Sequence, residues 1–195
     1  MEAFREIAKK DFREAYRLFN DKCFPEMMEK ADNRQKALYA GLSHQPVTYQ
    51  NLEEFFVGLK EKEPVSVSLK TVRNEFYEIR ESVQESFDIQ KSGWGHLRLD
   101  IEPHGDFLEV ERRVITQEEF IGSTCRIEYV IHADRLKDGN QTGRIIVRSP
   151  YQKLVYEIMA SRGPRIRADV KAEEKKHRAS MIKDYLESVS YTHLR

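Results

Sequence analysis

From residue 87 to residue 158 the chain is a succession of short runs in which apolar and polar residues alternate, broken by glycine, proline, aspartate and asparagine. Phe87-Asp88-Ile89 leads into Ser92-Gly93-Trp94-Gly95, and then into Leu97-Arg98-Leu99-Asp100-Ile101. Phe107-Leu108-Glu109-Val110 follows Gly105-Asp106, and Cys125-Arg126-Ile127-Glu128-Tyr129-Val130-Ile131 follows Gly122. Ile145-Ile146-Val147 and Leu154-Val155-Tyr156-Glu157-Ile158 close the series. A period of two sends successive side chains to opposite faces, so each run reads as a strand with one buried and one wet face. Upstream, Val65, Val67 and Leu69 alternate with Ser66, Ser68 and Lys70, and residues 76–79 and 83–89 continue the β region. About seven or eight such strands fit an immunoglobulin-like sandwich of about 100 residues.

The period changes at Pro64. Before it, Phe4, Ile7 and Ala8 share one helical face, and Phe12, Ala15, Leu18 and Phe19 continue at helical spacing. Asp11 is placed to cap a helix, with Glu14 completing a capping-box pattern. Pro25 suits a first helical turn, and Asp32-Asn33 can cap a helix bearing Ala37, Leu38, Ala40 and Leu42, which Pro46 ends. Thr48 or Asn51 caps a last segment with Leu52, Phe55, Phe56 and Leu59. Helices this short pack against neighbours, since none is stable alone. A second boundary falls at Arg162-Gly163-Pro164-Arg165. Beyond it, Ala168, Ala172, Ala179, Ile182 and Leu186 recur at helical spacing opposite Glu173, Glu174, Lys176, Lys183 and Glu187, an amphipathic helix with no partner in the remaining sequence. Ser188-Val189-Ser190-Tyr191-Thr192-His193-Leu194-Arg195 looks like translated sequencing-adapter read-through, which would make this chain a fragment of a longer one.

The 33 Lys and Arg residues balance the 33 Asp and Glu residues, so no global field draws the chain to nucleic acid or to an acidic membrane. No apolar run approaches the roughly 18 residues of a membrane span, and Met1-Glu2-Ala3-Phe4-Arg5-Glu6 is not the start of a secretory signal. Cys23 and Cys125 read as free thiols of a reducing cytoplasm.

No stretch carries a catalytic constellation. Gly93-Trp94-Gly95 holds the single tryptophan. It can be a strand-entry turn with the ring plugging one end of the core, or an exposed ring that stacks on a sugar or anchors a partner, which makes Trp94 the candidate ligand-binding residue. His44, His96, His104, His132, His177 and His193 have no metal-ligand spacing, so no metal or cofactor is expected. Gly122-Ser123-Thr124-Cys125 lacks the frame of a nucleophile elbow, and Arg126 points away from Cys125. Asp100, Glu102, Asp106, Glu109 and Glu111 resemble a carboxylate cluster but also the solvated face of a sandwich, with Arg98, Arg112 and Arg113 as cross-strand partners. Arg165, Arg167, Lys171, Lys175, Lys176 and Arg178 are diluted by acids and lack interleaved aromatics, so they read as a solvated helix face.

Several longer stretches carry a family resemblance: Asp11-Phe12-Arg13-Glu14-Ala15-Tyr16-Arg17-Leu18-Phe19, Leu52-Glu53-Glu54-Phe55-Phe56-Val57-Gly58-Leu59, Ser92-Gly93-Trp94-Gly95-His96-Leu97-Arg98, Glu119-Phe120-Ile121-Gly122-Ser123, and Arg148-Ser149-Pro150-Tyr151-Gln152-Lys153-Leu154-Val155-Tyr156-Glu157. Through them the chain resembles a family of large bacterial proteins, the domain of unknown function numbered fifty-seven seventeen, over nearly all of residues 5–187. The resemblance implies a sandwich near the N-terminus of a long protein, a helical-repeat region after it, and no activity. Asp134, Leu136, Gly139, Gly143, Ile145, Val147 and Ser149 are similar to the last hairpin of many bacterial immunoglobulin-like domains.

The expected fold class is therefore α+β. Short helical hairpins occupy residues 1–62, an immunoglobulin-like antiparallel β-sandwich occupies 63–162, and an amphipathic helix over 163–187 begins a helical, solenoid-like region. The expected function is that of a non-catalytic structural or protein-interaction module in a larger intracellular scaffold, cytoplasmic and without nucleic-acid, membrane or metal partners. Two alternatives stay open. One is a carbohydrate- or surface-binding domain using Trp94 with Tyr77, Tyr129 or Tyr151; the other is a non-catalytic fragment of a larger enzyme.

Overall fold

A computed structural model describes residues 1–44 and 46–164, together with Lys176 and Ala179, both helical. The amphipathic helix expected over 163–187, its basic face, and residues 188–195 lie otherwise outside the described residues.

The helices are α1 (Glu2–Lys10), α2 (Phe12–Phe19), α3 (Phe24–Glu29), α4 (Asn33–Leu42) and α5 (Tyr49–Gly58). Local chemistry sets where each begins. The Asp11 carboxylate accepts the N–H groups of Arg13 and Glu14 at 2.9 and 3.1 Å, so one residue ends α1 and starts α2. The reciprocal half of that expected capping box is not made, because Glu14 turns along the helix to Arg17, 3.4 Å away. Pro25 lies in the first turn of α3, where a missing N–H costs nothing. Asp32 and Gln35 form a full capping box at α4. At α5, Thr48 and Asn51 act together: Thr48 N–H donates to Asn51 Oδ1 at 2.8 Å, and Asn51 N–H to Thr48 Oγ1 at 3.3 Å.

The helical core is built of rings. Phe4 meets Phe24 edge-on at 4.9 Å and stacks on Phe56 at 5.2 Å, while Phe19 meets Phe24 and Phe55, each at 5.2 Å. The sequence places α4 on this core through Ala37, Leu38, Ala40 and Leu42, but no residue of α4 is buried. Leu38 and Leu42 are half-buried and the two alanines face water, since Tyr39 already covers Phe19 and Phe24 from outside.

The strands are β1 (Ser66–Leu69), β2 (Arg73–Phe76), β3 (Val83–Ser92), β4 (Arg98–His104), β5 (Leu108–Val110), β6 (Val114–Thr116), β7 (Thr124–Ile131), β8 (Asn140–Arg148) and β9 (Lys153–Ser161). One sheet runs β1-β3-β7-β5 and the other β2-β9-β8-β4-β6. The first order and the β9-β8-β4 segment of the second match the two sheets of an immunoglobulin sandwich. Two strands extend the pattern: β6 lies beyond β4, and β2 pairs in parallel with β9, Arg73 opposite Glu157 and Phe76 opposite Ala160. The parallel ladder departs from the all-antiparallel expectation. Residues 77–79, read as strand from sequence, instead carry the chain from one sheet to the other. Glu78 there adopts φ +57°, with its N–H on Gly163 O, and Ile79 N–H bonds Ser161 O.

Ile89, Leu99, Ile101, Ile131, Ile145 and Ile158 fill the space between the sheets, all at most 1% exposed, and Phe87 stacks on Tyr156 at 4.2 Å. One outward N–H on each of three edge strands is taken by a side chain. Val67 N–H on β1 donates to Gln152 Oε1 at 2.7 Å, Glu75 N–H on β2 to Asn74 Oδ1 at 2.9 Å, and Thr116 N–H on β6 to Glu119 Oε2 at 2.8 Å. The β3–β4 and β8–β9 turns meet the helices. Tyr151 of the second turn is hydrogen-bonded by Gln50 of α5 at 3.1 Å.

Candidate functional site at the helix–sandwich junction

The chemistry concentrates where α5 meets the β3–β4 turn. Glu53 follows the apolar Leu52 on α5, and its side chain is 0% exposed. Lys62, in the linker from helices to sandwich, has a side chain only 2% exposed, and its ammonium pairs directly with Glu53 Oε1. The other carboxylate oxygen accepts His96 N–H at 2.9 Å. The ammonium also lies 4.8 Å from the centre of the Trp94 ring, within cation–π range. One charge of each sign is thus enclosed with a hydrogen-bond donor and a ring face, the condition under which buried ions are tolerated. Burial pulls the Lys62 pKa below the ordinary lysine value and the Glu53 carboxylate opposes that shift.

The turn is shaped around this pair. Gly93 and Gly95 have φ of +94° and +122°, which side chains disfavour. A Cβ on Gly95 would run into both Glu53 Oε2 and Lys62 Nζ. Trp94, the ring singled out from sequence, is half-buried at this seam, edge-on to Phe56 at 5.5 Å and joined to the helical core. Of the rings considered beside it, Tyr129 is buried inside the sandwich, Tyr151 lies on the β8–β9 turn against Gln50, and the Tyr77 hydroxyl donates to Glu75 at 2.9 Å.

A cleft of about 550 Å³ opens next to the ion pair, between the start of α2, Tyr49 and the segment following β6. Tyr49 stacks on His96 at 5.6 Å and its ring centre lies 4.2 Å from that of Tyr16. Burial, helped by Arg98 and Lys62, holds the His96 imidazole below the usual histidine pKa. Arg13 reaches across the mouth to Glu118 at 2.7 Å.

The remaining sequence candidates are dispersed. His104 is exposed at the end of β4, 3.7 Å from Glu102, and is not near His96. The carboxylates fall on different sheets: Asp100 and Glu102 on β4 meet Arg98 and Arg148 at 3.3 and 3.2 Å, while Glu109 on β5 meets His132 at 2.8 Å. Glu102 is met by Arg148 from β8, which pairs with β4 on the side away from β6. Cys125 is a free, buried thiol whose pKa burial raises. Cys23 is free and exposed, its thiol pushed up by Asp21. Among the described residues no His, Cys, Asp and Glu side chains gather in threes to hold a metal, and no helix is long and apolar enough to cross a membrane.

Glu53 and Lys62 did not stand out in the sequence because they are partners only in three dimensions. One local signal existed: Glu53 lies four residues after Tyr49 and three before Phe56, on the flank of the apolar stripe, where an acid is out of place.

Similarity to solved structures is distant. A family 123 glycoside hydrolase from Clostridium perfringens is 6% identical with a TM-score of 0.38, over 49% of this chain and 26% of that one. The apo-form Calx CBD1 domain is 7% identical with a TM-score of 0.37, over 50% and 96%. A FixG-related protein from Vibrio parahaemolyticus is 12% identical with a TM-score of 0.33, over 50% and 94%. No curated protein matches the chain. The N-terminal model of DUF5717, a family of unknown function, matches residues 1–191, and with that span the chain belongs to this family.

Proposed function

We propose that this chain is a non-catalytic structural and protein-interaction module, a cytoplasmic part of a larger scaffold whose partners are proteins. The observation that carries the reading is the enclosed Glu53–Lys62 pair. It joins the last helix, the linker and a sandwich turn through polar contacts that tolerate little slippage, so the helices and the sandwich present their surfaces in one fixed relation. A module that holds surfaces at a set geometry suits a scaffold. The outer face of the β4-β8-β9 sheet supports the same reading. There Arg98–Asp100, Arg148–Glu102 and Arg144–Glu157 pair opposite charges, so the face is mixed in sign and not uniformly basic.

The test is proximity labelling with the full-length gene product, with and without residues 1–164. A defined set of neighbours lost on deletion, one of which binds the purified chain directly, supports the reading. An unchanged set of neighbours sinks it, as does substrate turnover abolished by a single exposed substitution.

A further inference from the structure

The cleft beside the ion pair has features the scaffold reading does not use. Its volume of about 550 Å³ is that of a small-molecule site, and such sites favour the seams between structural units. Rings form one wall: Phe12, Tyr49 and His96, the last two stacked. Around them the charges cancel. Lys10 and Arg13 are matched by Asp11 and Glu118, so the lining carries no net charge.

His96 narrows the chemistry further. Its backbone N–H is spent on Glu53, but neither ring nitrogen is hydrogen-bonded to a described residue. A neutral imidazole offers one donor and one acceptor. A hydroxyl can satisfy either of them. A carboxylate can only accept, and an ammonium can only donate. At the mouth, the guanidinium of Arg13 and the carboxylate of Glu118 lie 2.7 Å apart and largely exposed, presenting donors and acceptors side by side. Neighbouring hydroxyls on one ring use such a pair at once.

We propose that this cleft binds a neutral polyhydroxylated ligand, a saccharide. One sugar ring would lie against the Tyr49–His96 wall, with its hydroxyls shared among His96, Arg13 and Glu118. This site is distinct from Trp94, whose ring is engaged by Lys62 and Phe56.

The experiment is NMR of the whole chain with ¹⁵N-labelled histidine, the His96 signals assigned through His96→Gln. The probes are glucose, cellobiose, maltose and chitobiose, with inorganic phosphate as the charged comparator. The expected result is a saturable shift of the His96 ring signals with at least one saccharide and none with phosphate. Glu118→Gln and Arg13→Gln, both exposed and remote from the core, should each weaken that binding roughly tenfold, the worth of a hydrogen bond to a charged group. Tyr49→Ala is a poorer probe, because Tyr49 also packs on Tyr16. A flat response to all four sugars overturns the proposal. So does a shift with phosphate alone, or a saccharide response that survives both exposed substitutions.

Discussion

The two halves of this molecule are held together by different means. The sandwich relies on repetition: long ladders, with β8 and β9 paired over nine registers, enclose aliphatic side chains between two sheets. The helical part has no such repetition. Its helices run from six to ten residues, too short to be stable alone, and their shared interior is a knot of phenylalanine rings. A ring buries more area per residue than an aliphatic side chain, so a few short helices can still assemble a core. What the ring core cannot do is set its own orientation on the sandwich. That task falls to a polar lock with directional contacts, where Glu53, Lys62 and the His96 N–H meet. Strength comes from the apolar interiors and geometry from the ion pair.

The sharpest way to break this comparison is Glu53→Leu. It leaves a buried, unpaired ammonium and should destabilise the chain by about 3–5 kcal/mol, read by urea unfolding. Adding Lys62→Met should return most of that loss. If instead the double variant is as unstable as the single one, the pair supplies strength and the division drawn above is wrong. Gly95→Ala comes next. With φ at +122° and the new Cβ against both charged groups, it should cost about 1–3 kcal/mol, while an alanine at the exposed Ser92 changes little.

Thr48→Ala removes half of the α5 capping box and should cost about 1 kcal/mol. Its loss should appear first in hydrogen exchange of the helices, leaving the β8–β9 ladder protected. Acid should act in the same place. Burial holds the folded His96 imidazole below its ordinary pKa, so an unfolded chain takes up a proton that the folded one resists. Stability should therefore fall as pH drops below about 6.5, the unperturbed histidine value, and continue falling until the folded imidazole titrates. Glu53, Lys62, Arg98, Tyr49, Lys10, Asp11, Arg13 and Glu118 surround this group. His96→Gln should flatten the slope in that window, measured by denaturation at stepped pH. The smallest effect belongs to Arg13→Ala. Its bridge to Glu118 is largely exposed and should leave thermal stability unchanged while altering the cleft.

Much of this architecture is legible without coordinates, and the reasons are local. Asp11, Asp32 and Thr48 mark helix starts because a cap is a contact within three residues. The strands with strict alternation, β7 and the first five residues of β4 above all, announce themselves because one face of each is buried. What escapes is whatever local pattern does not encode. Strand β2, Arg-Asn-Glu-Phe, is a half-buried edge with no apolar alternation, and its parallel pairing is decided by β9, some eighty residues away. Strand β6 is three residues long. For the candidate site, the sequence singled out Trp94 in the Gly93-Trp94-Gly95 turn but not the ions beneath it. Glu53 and Lys62 look like ordinary surface charges until helix and turn close over them.

The capping of one donor on each of three sheet edges has a consequence for life in a crowd. A strand with unsatisfied backbone groups recruits any extended segment that drifts past, and wherever modules are tethered on one chain their mutual concentration reaches the millimolar range. With Gln152, Asn74 and Glu119 each accepting one outward N–H, β1, β2 and β6 withdraw donors that would nucleate such mispairing. These three side chains contribute to solubility by being unavailable, and losing them should leave a well-folded molecule that slowly sticks to itself.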